Sequence, residues 1–192
     1  CDCSLLELRS PSPNSRCSSR LGTISGDITP NWCSFNCLVD ANIAYDSGST
    51  SGPGHWTLSD ALEVGMGMSV AEDESHFTLW CMMSWPLIIG HDVRNQTADT
   101  LRILTNSELL SISADPMGRA AKLVGGTRAI TASTQVYLRQ LIDGDFVAAL
   151  YNRDDSKALA ITLHWGSMWM PAVQPMAVRD LWQHREVGVH SH

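Results

Sequence analysis

Three aspartates follow short apolar runs closely, where a strand of a parallel sheet would end: Asp27 closes "TISGD", Asp60 follows "HWTLS" and Asp92 follows "PLIIGH". Functional groups of parallel α/β units collect at that carboxyl edge, because the strands there open into loops clear of the helix layer. A carboxylate in such a place can act as general acid or base, as nucleophile, or as acceptor for sugar hydroxyls. The competing role for each is to cap a turn or a helix start. His55 and Trp56 stand just before Asp60. An aromatic beside an acid suits a sugar, whose C–H groups lie on the ring while the acid takes its hydroxyls, yet an aromatic in a strand also serves as core.

Other chemistries find less support. His76, His91, His164, His184, His190 and His192 share no metal-ligand spacing and read as surface or satisfied core groups. Cys1, Cys3, Cys17, Cys33, Cys37 and Cys81 fit no common zinc pattern, so no metal site is expected. Disulfides are the expected use if the protein is exported, and the sequon Asn95-Gln-Thr97 points the same way. There is no glycine-rich phosphate cradle and no Gly-x-Ser-x-Gly elbow. With 13 basic against 20 acidic residues the net charge is −7, which repels a phosphate backbone and argues against nucleic acid as partner. No apolar run approaches the roughly 18 to 20 residues that span a bilayer, so no membrane partner is expected. The N-terminal "CDCSLLELRSPSPNSRCSSR" lacks the order of a signal peptide, and a start at Cys1 is what a piece of a longer chain would show.

The elements that must position these groups can be read from pattern. Residues 1–22, rich in Ser, Pro, Arg and Cys, have no period to bury and read as irregular. "TISGDI", "TPNWCSFNCLVDANIAY" and "DSGSTSGPG" read as strand end, helix and loop. Ser69 and Glu72 form a capping box before "DESHFTLWCMMSW", whose apolar positions recur at helical spacing, with Pro86 as the expected stop. "PLIIG" is a continuous apolar run of the kind buried on both faces as a strand. Thr97 and Asn106 can cap two short helices. This alternation predicts a parallel sheet with crossover helices, closed near Asp115 to Gly118. Beyond residues 122–127 come four β-type runs, "TQVYLRQL", "GDFVAALYN", "LAITLHW" and "MAVRDLW", which predict an antiparallel sandwich. Trp165, Trp169 and Trp182 are expected to pack there, and Met66, Met68, Met82 and Met83 to fill the core.

The blocks "GPGHWTLSDALEVGMGMS", "HFTLWCMMSWPLIIGHDVRN", "TLRILTNSELLSISADPMG", "TQVYLRQLIDGDFVAALYNR" and "AVRDLW" occur in the order and at the spacings of the glycoside hydrolase family 27 α-galactosidases, or melibiases. Over residues 23–188 the chain resembles the C-terminal half of such an enzyme. The resemblance implies an α/β plus all-β fold: part of a (β/α)8 TIM barrel around strands 6 to 8 (residues 23–121), then an antiparallel β-sandwich (residues 122–192), after an irregular N-terminal segment (residues 1–22). It implies Asp27, at the end of the sixth strand, as acid/base. It matches Asp60 to the last acid of the family's Trp-Asn-Asp-Pro-Asp-Met-Leu stretch, which binds galactose hydroxyls, and delivers Trp56 to the same sugar.

The departures bear on function. Leu58 replaces one acid of that stretch, Ser59 its Pro and Ala61 its Met, while Thr23 stands where the family carries a sugar-binding Arg. The Lys-x-Asp segment that holds the family's nucleophile on strand four has no counterpart in the chain. The resemblance implies hydrolysis of terminal α-linked galactose with retention, on an α-galactoside oligosaccharide or glycoconjugate, with neither metal nor organic cofactor. A homodimer is left open. A secreted or lysosomal/vacuolar address is implied. The alternatives are a non-catalytic or degenerate galactoside-binding remnant, and an α-N-acetylgalactosaminidase, whose sensors of the sugar's 2-substituent would lie before residue 23.

Overall fold

The computed structural model describes residues 21–23, 27–45, 51–126, 132–154, 156–168 and 175–190. Strand β1 (Leu21–Thr23) lies parallel to β2 (Trp56–Leu58), with Leu21 opposite Trp56 and Thr23 opposite Leu58. Helix α1 (Trp32–Tyr45) connects them. Leu21 and Gly22 belong to the stretch expected to be irregular, and it is the pairing with β2, absent from any local pattern, that makes them a strand. Ahead of β2 a tight turn is closed by Gly52 N–H to the His55 carbonyl (2.9 Å) and His55 N–H to the Gly52 carbonyl (3.0 Å). Its centre is Pro53-Gly54. Proline presets the first turn residue and Gly54, at φ +91°, takes the left-handed conformation that the second demands.

Helix α2 (Val70–Met82) starts on the expected capping box: Ser69 Oγ accepts from Glu72 N–H, and the Glu72 carboxylate accepts from Ser69 N–H at 2.7 Å. It stops before the Pro86 expected to end it, because Ser84, at φ +55°, has already turned the chain. "PLIIG" then departs from expectation. It makes one parallel bridge, with Leu62 N–H donating to the Ile88 carbonyl (2.7 Å) and Gly90 N–H to the Leu62 carbonyl (2.9 Å). Far from being buried on both faces, Ile88 is 51% and Ile89 39% exposed. The ladder stays short because Ile88 N–H is turned back to the Pro86 carbonyl, and among the described residues no strand covers the outer edge. The two segments approach closely because residue 90 is glycine, whose absent Cβ would meet the Leu62 carbonyl at 3.0 Å. Helices α3 (Ala98–Leu104) and α4 (Ser107–Ser113) start on Thr97 and Asn106, as expected from their side-chain acceptors.

The remainder is antiparallel. Strands β3 (Lys122–Gly126), β4 (Thr134–Gln140) and β5 (Phe146–Asn152) form a sheet in that order, and β6 (Met176–Asp180) pairs with β7 (Arg185–His190). "LAITLHW" is not a strand: it finds no ladder partner among the described residues, and Trp165–Met168 is a 3-10 turn. Met66 is exposed rather than core filler, since it sits in the turn before α2. Trp169 lies outside the described residues, whereas Trp182 packs against the core and donates its Nε1–H to Thr78 Oγ1.

One apolar core runs through both parts, with Phe35 and Leu38 of α1, Phe77, Trp80 and Met82 of α2, and Tyr137 and Tyr151 of the sheet. Polar struts cross the same seam. Arg139 Nη1 donates to the Cys81 carbonyl (2.7 Å), the Trp32 indole to the Arg153 carbonyl (3.1 Å) and the Tyr151 hydroxyl to Asn36 Oδ1 (2.7 Å). Arg153 grips both oxygens of Asp40 at 2.6 and 2.8 Å, and each side chain is only 7% exposed.

Candidate functional site

The parallel register of β1 and β2 sends the chain out of both strands at one edge, and there the structure brings two of the expected acids together. Ile28 N–H, the amide directly after Asp27, donates to Asp60 Oδ2 at 2.7 Å. Asp60 Oδ1 accepts its neighbour's N–H, that of Ala61, also at 2.7 Å. Asp60 is half-buried and Asp27 exposed, so one carboxylate is seated in the rim and the other stands free above it. The seat is firm. The Ile28 side chain is buried, Thr29 N–H donates to Ser34 Oγ, and Asn31 Oδ1 accepts from Ser34 N–H at the start of α1. From below, the Trp80 indole N–H donates to the Asp60 carbonyl at 3.3 Å.

Burial alternates along β2 and just beyond it: Thr57 and Ser59 face the core while Trp56, Leu58 and Asp60 face the other way. Thr57 Oγ1 accepts the Trp85 indole N–H, which ties the buried face to the aromatic core. Trp56 therefore shares a face with Asp60, but four residues of extended chain set it about 13 Å further down the strand. His55 is exposed in the turn before β2. Asp92 faces solvent and is held by Arg94, which donates to both its oxygens and whose hydrogen bonds pull the Asp92 pKa below the usual range. For Asp92 the turn-capping role prevails over the chemical one.

Two further acids with perturbed protonation escaped sequence reasoning, one of them, Glu63, within reach of the Asp60 charge. Glu63 has its pKa raised, first by burial and then by the negative charge of Asp60, with His91 opposing. Asp73, on α2, is buried and pushed up to about 6, mainly by desolvation; its Oδ2 accepts Gly65 N–H while its Oδ1 has no partner. The available signal was positional: Asp73, His76, Phe77 and Trp80 follow the i, i+3, i+4, i+7 stripe of a helix face, so an acid there was bound for the interior. His76 corrects the expectation of a surface or satisfied group. It is fully buried against Phe35 and Trp80, neither ring nitrogen has a partner, and burial pushes its pKa down to about 3. Among the described residues no group of three or more His, Cys, Asp or Glu could hold a metal ion, and no helix is long and apolar enough to cross a membrane.

Paired acids at the carboxyl edge of parallel strands, one seated and one free, define an α/β-type carboxylate site fit for acid–base work on a polar substrate. Residues 16–115 match the family model described as alpha galactosidase A, and residues 131–192 the model of the alpha galactosidase C-terminal beta sandwich domain. The chain belongs to the alpha galactosidase A family. It is 37% identical over 162 residues to alpha-galactosidase 3 of Arabidopsis thaliana, a match covering 84% of this chain and 36% of the relative. With the alpha-galactosidase of Oryza sativa subsp. japonica it shares 36% identity over 161 residues, covering 83% and 37%. The crystal structure of alpha-galactosidase I from Mortierella vinacea superposes with a TM-score of 0.82 at 27% identity, covering 90% of this chain and 48% of that one. The chain thus spans well under half the length of these curated relatives.

Proposed function

We propose that this chain is the acid/base half of a retaining α-galactosidase, hydrolysing terminal α-linked galactose from an oligosaccharide or glycoconjugate. The observation that supports the reading is the Ile28 N–H to Asp60 Oδ2 bond, since Ile28 directly follows Asp27 in the chain. Asp27 gives a proton to the leaving glycosidic oxygen and later withdraws one from water. Asp60, each of whose oxygens takes one N–H among the described residues, accepts galactose hydroxyls on its remaining lone pairs. The nucleophile belongs to the part of the relatives' length that this chain does not span, about 5 to 5.5 Å from Asp27 once assembled. In this reading residues 23–121 are the strand 6 to 8 portion of a (β/α)8 barrel and residues 122–192 a β-sandwich. The exposed outer edge at Ile88 and Ile89 is where further barrel strands would pair.

A secretory-route address is part of the proposal, and with it the use of clustered cysteines such as Cys33 and Cys37 in disulfides. A second reading, a galactoside-binding remnant without catalysis, is favoured by Leu58 and Ser59 in place of the family's acid and proline. Hydrolysis of a chromogenic α-galactoside separates the two, measured with the chain alone, with the upstream barrel portion supplied, and with Asp27→Asn. The expected result is turnover only when the portions are joined, abolished by Asp27→Asn. Turnover that survives the substitution would refute the acid/base assignment, and none in the joined protein would favour the remnant.

A further inference from the structure

In the free chain Asp60 already has an occupation. Its Oδ2 holds Ile28 N–H and its Oδ1 holds Ala61 N–H, both at 2.7 Å, while its carbonyl takes the Trp80 indole. Ile28 immediately follows Asp27, and its side chain is buried in the core. The main chain leaving Asp27 is therefore fixed at two points, an amide held by a carboxylate and a side chain held by packing, whereas the Asp27 side chain stands in solvent. Among the described residues nothing else holds that amide. It precedes α1 by four residues, outside the helix's own hydrogen bonds.

We infer that Asp60 is a positioning residue for the acid/base group: its charge-assisted bond to Ile28 N–H sets where the Asp27 carboxyl stands over the rim. The inference rests on the reading of Asp27 as proton donor and adds to Asp60 a role separate from holding sugar hydroxyls. The two roles have different kinetic signatures. A residue that only anchors galactose loses the same factor on every α-galactoside, because the galactosyl part is common to all. A residue that aims the acid loses most where the leaving group needs a proton, and little where it departs as a stable anion.

The test compares Asp60→Asn with the unsubstituted protein, joined to the upstream barrel portion, on methyl α-galactoside and 2,4-dinitrophenyl α-galactoside. Expected is a kcat/KM loss, which reports the glycosylation step alone, at least ~10-fold larger on the methyl than on the dinitrophenyl substrate, within the 10²–10⁴ range that general acids contribute. Amide hydrogen exchange at Ile28 should quicken by ~10-fold or more, with Phe77 in α2 unchanged as the folding control. If Phe77 also quickens, Asp60→Glu, which keeps the charge but shifts it by one methylene, carries the same comparison. Equal losses on the two substrates, or unchanged protection at Ile28, overturn the inference alone. An unsubstituted protein that cleaves neither galactoside overturns the acid/base reading and the inference with it.

Discussion

Asp73 and His76 sit one turn apart on the buried face of α2, and their protonation should drive stability in opposite directions with pH. Burial holds Asp73 at about 6, so between about pH 4 and 6 the folded chain binds a proton that the unfolded chain has released. Stability on its account falls as pH rises through that window. His76 is the converse. The unfolded imidazole takes its proton near pH 6.5 and the folded one, pushed down to about 3, does not, so stability on its account falls as pH drops from about 6.5 toward 3. Each pKa unit is worth about 1.4 kcal/mol. Between pH 7 and pH 5, Asp73 therefore returns about 1.4 kcal/mol and His76 removes about 2 kcal/mol, nearly cancelling in the natural chain.

Single substitutions should uncover each slope. Asp73→Asn keeps an acceptor for Gly65 N–H and should leave a chain that loses about 2 kcal/mol on going from pH 7 to pH 5. His76→Leu, near in volume and free of the two unpartnered nitrogens, should leave one that gains about 1.4 kcal/mol over the same interval. At pH 7 Asp73→Asn should also stabilise by up to about 3 kcal/mol, because the ionised carboxylate is the costly form and its partnerless oxygen becomes an equally partnerless amide. Urea unfolding followed by Trp fluorescence at both pH values, with m-values checked for constancy, reads all three. If both variants keep the pH slope of the parent, neither group changes protonation on folding and the argument fails.

Other outcomes can be stated briefly. Arg153→Met should cost about 3–5 kcal/mol in urea unfolding, since it strands Asp40 in the interior, and adding Asp40→Leu should recover most of that. Ser69→Ala should remove about 1 kcal/mol by undoing the capping box of α2, also read from urea midpoints. The Cys81 thiol, free and pushed up to about 12 mainly by burial, should resist a thiol-specific reagent in the native chain and react once it is denatured.

What could be read in advance was whatever is encoded within a turn or two of chain. The box at Ser69 and Glu72, the caps Thr97 and Asn106, and the Pro53-Gly54 turn all depend on neighbours within three residues, and the structure has each of them. What failed depends on partners far away in sequence. "PLIIG" and "LAITLHW" carry strand composition, but a strand exists only where another chain segment accepts its hydrogen bonds, and composition does not say whether one is present. The candidate site divides along the same line. Asp27 and Asp60 could be singled out by their place after apolar runs, yet the bond that joins them spans 32 residues and no local pattern contains it.

The same core that supports the site also explains why α2 is the element on which most depends. Trp80 stacks against Phe35, lies tilted against His76, meets Trp85 edge-on at 4.6 Å, and donates to the Asp60 carbonyl. Trp85 in turn donates to Thr57 in β2. The rim acids thus hang from an aromatic cluster whose other side is bound to the sheet through Arg139 and the Cys81 carbonyl, and through Tyr151 against Phe35. A defect in the antiparallel part has a packed route to Asp60, because interiors at crystal-like density transmit displacement instead of absorbing it. Tyr151→Leu, remote from both acids, should therefore quicken amide exchange at Ile28 as well as in β5, whereas a change confined to β5 would show that the two parts are mechanically separate.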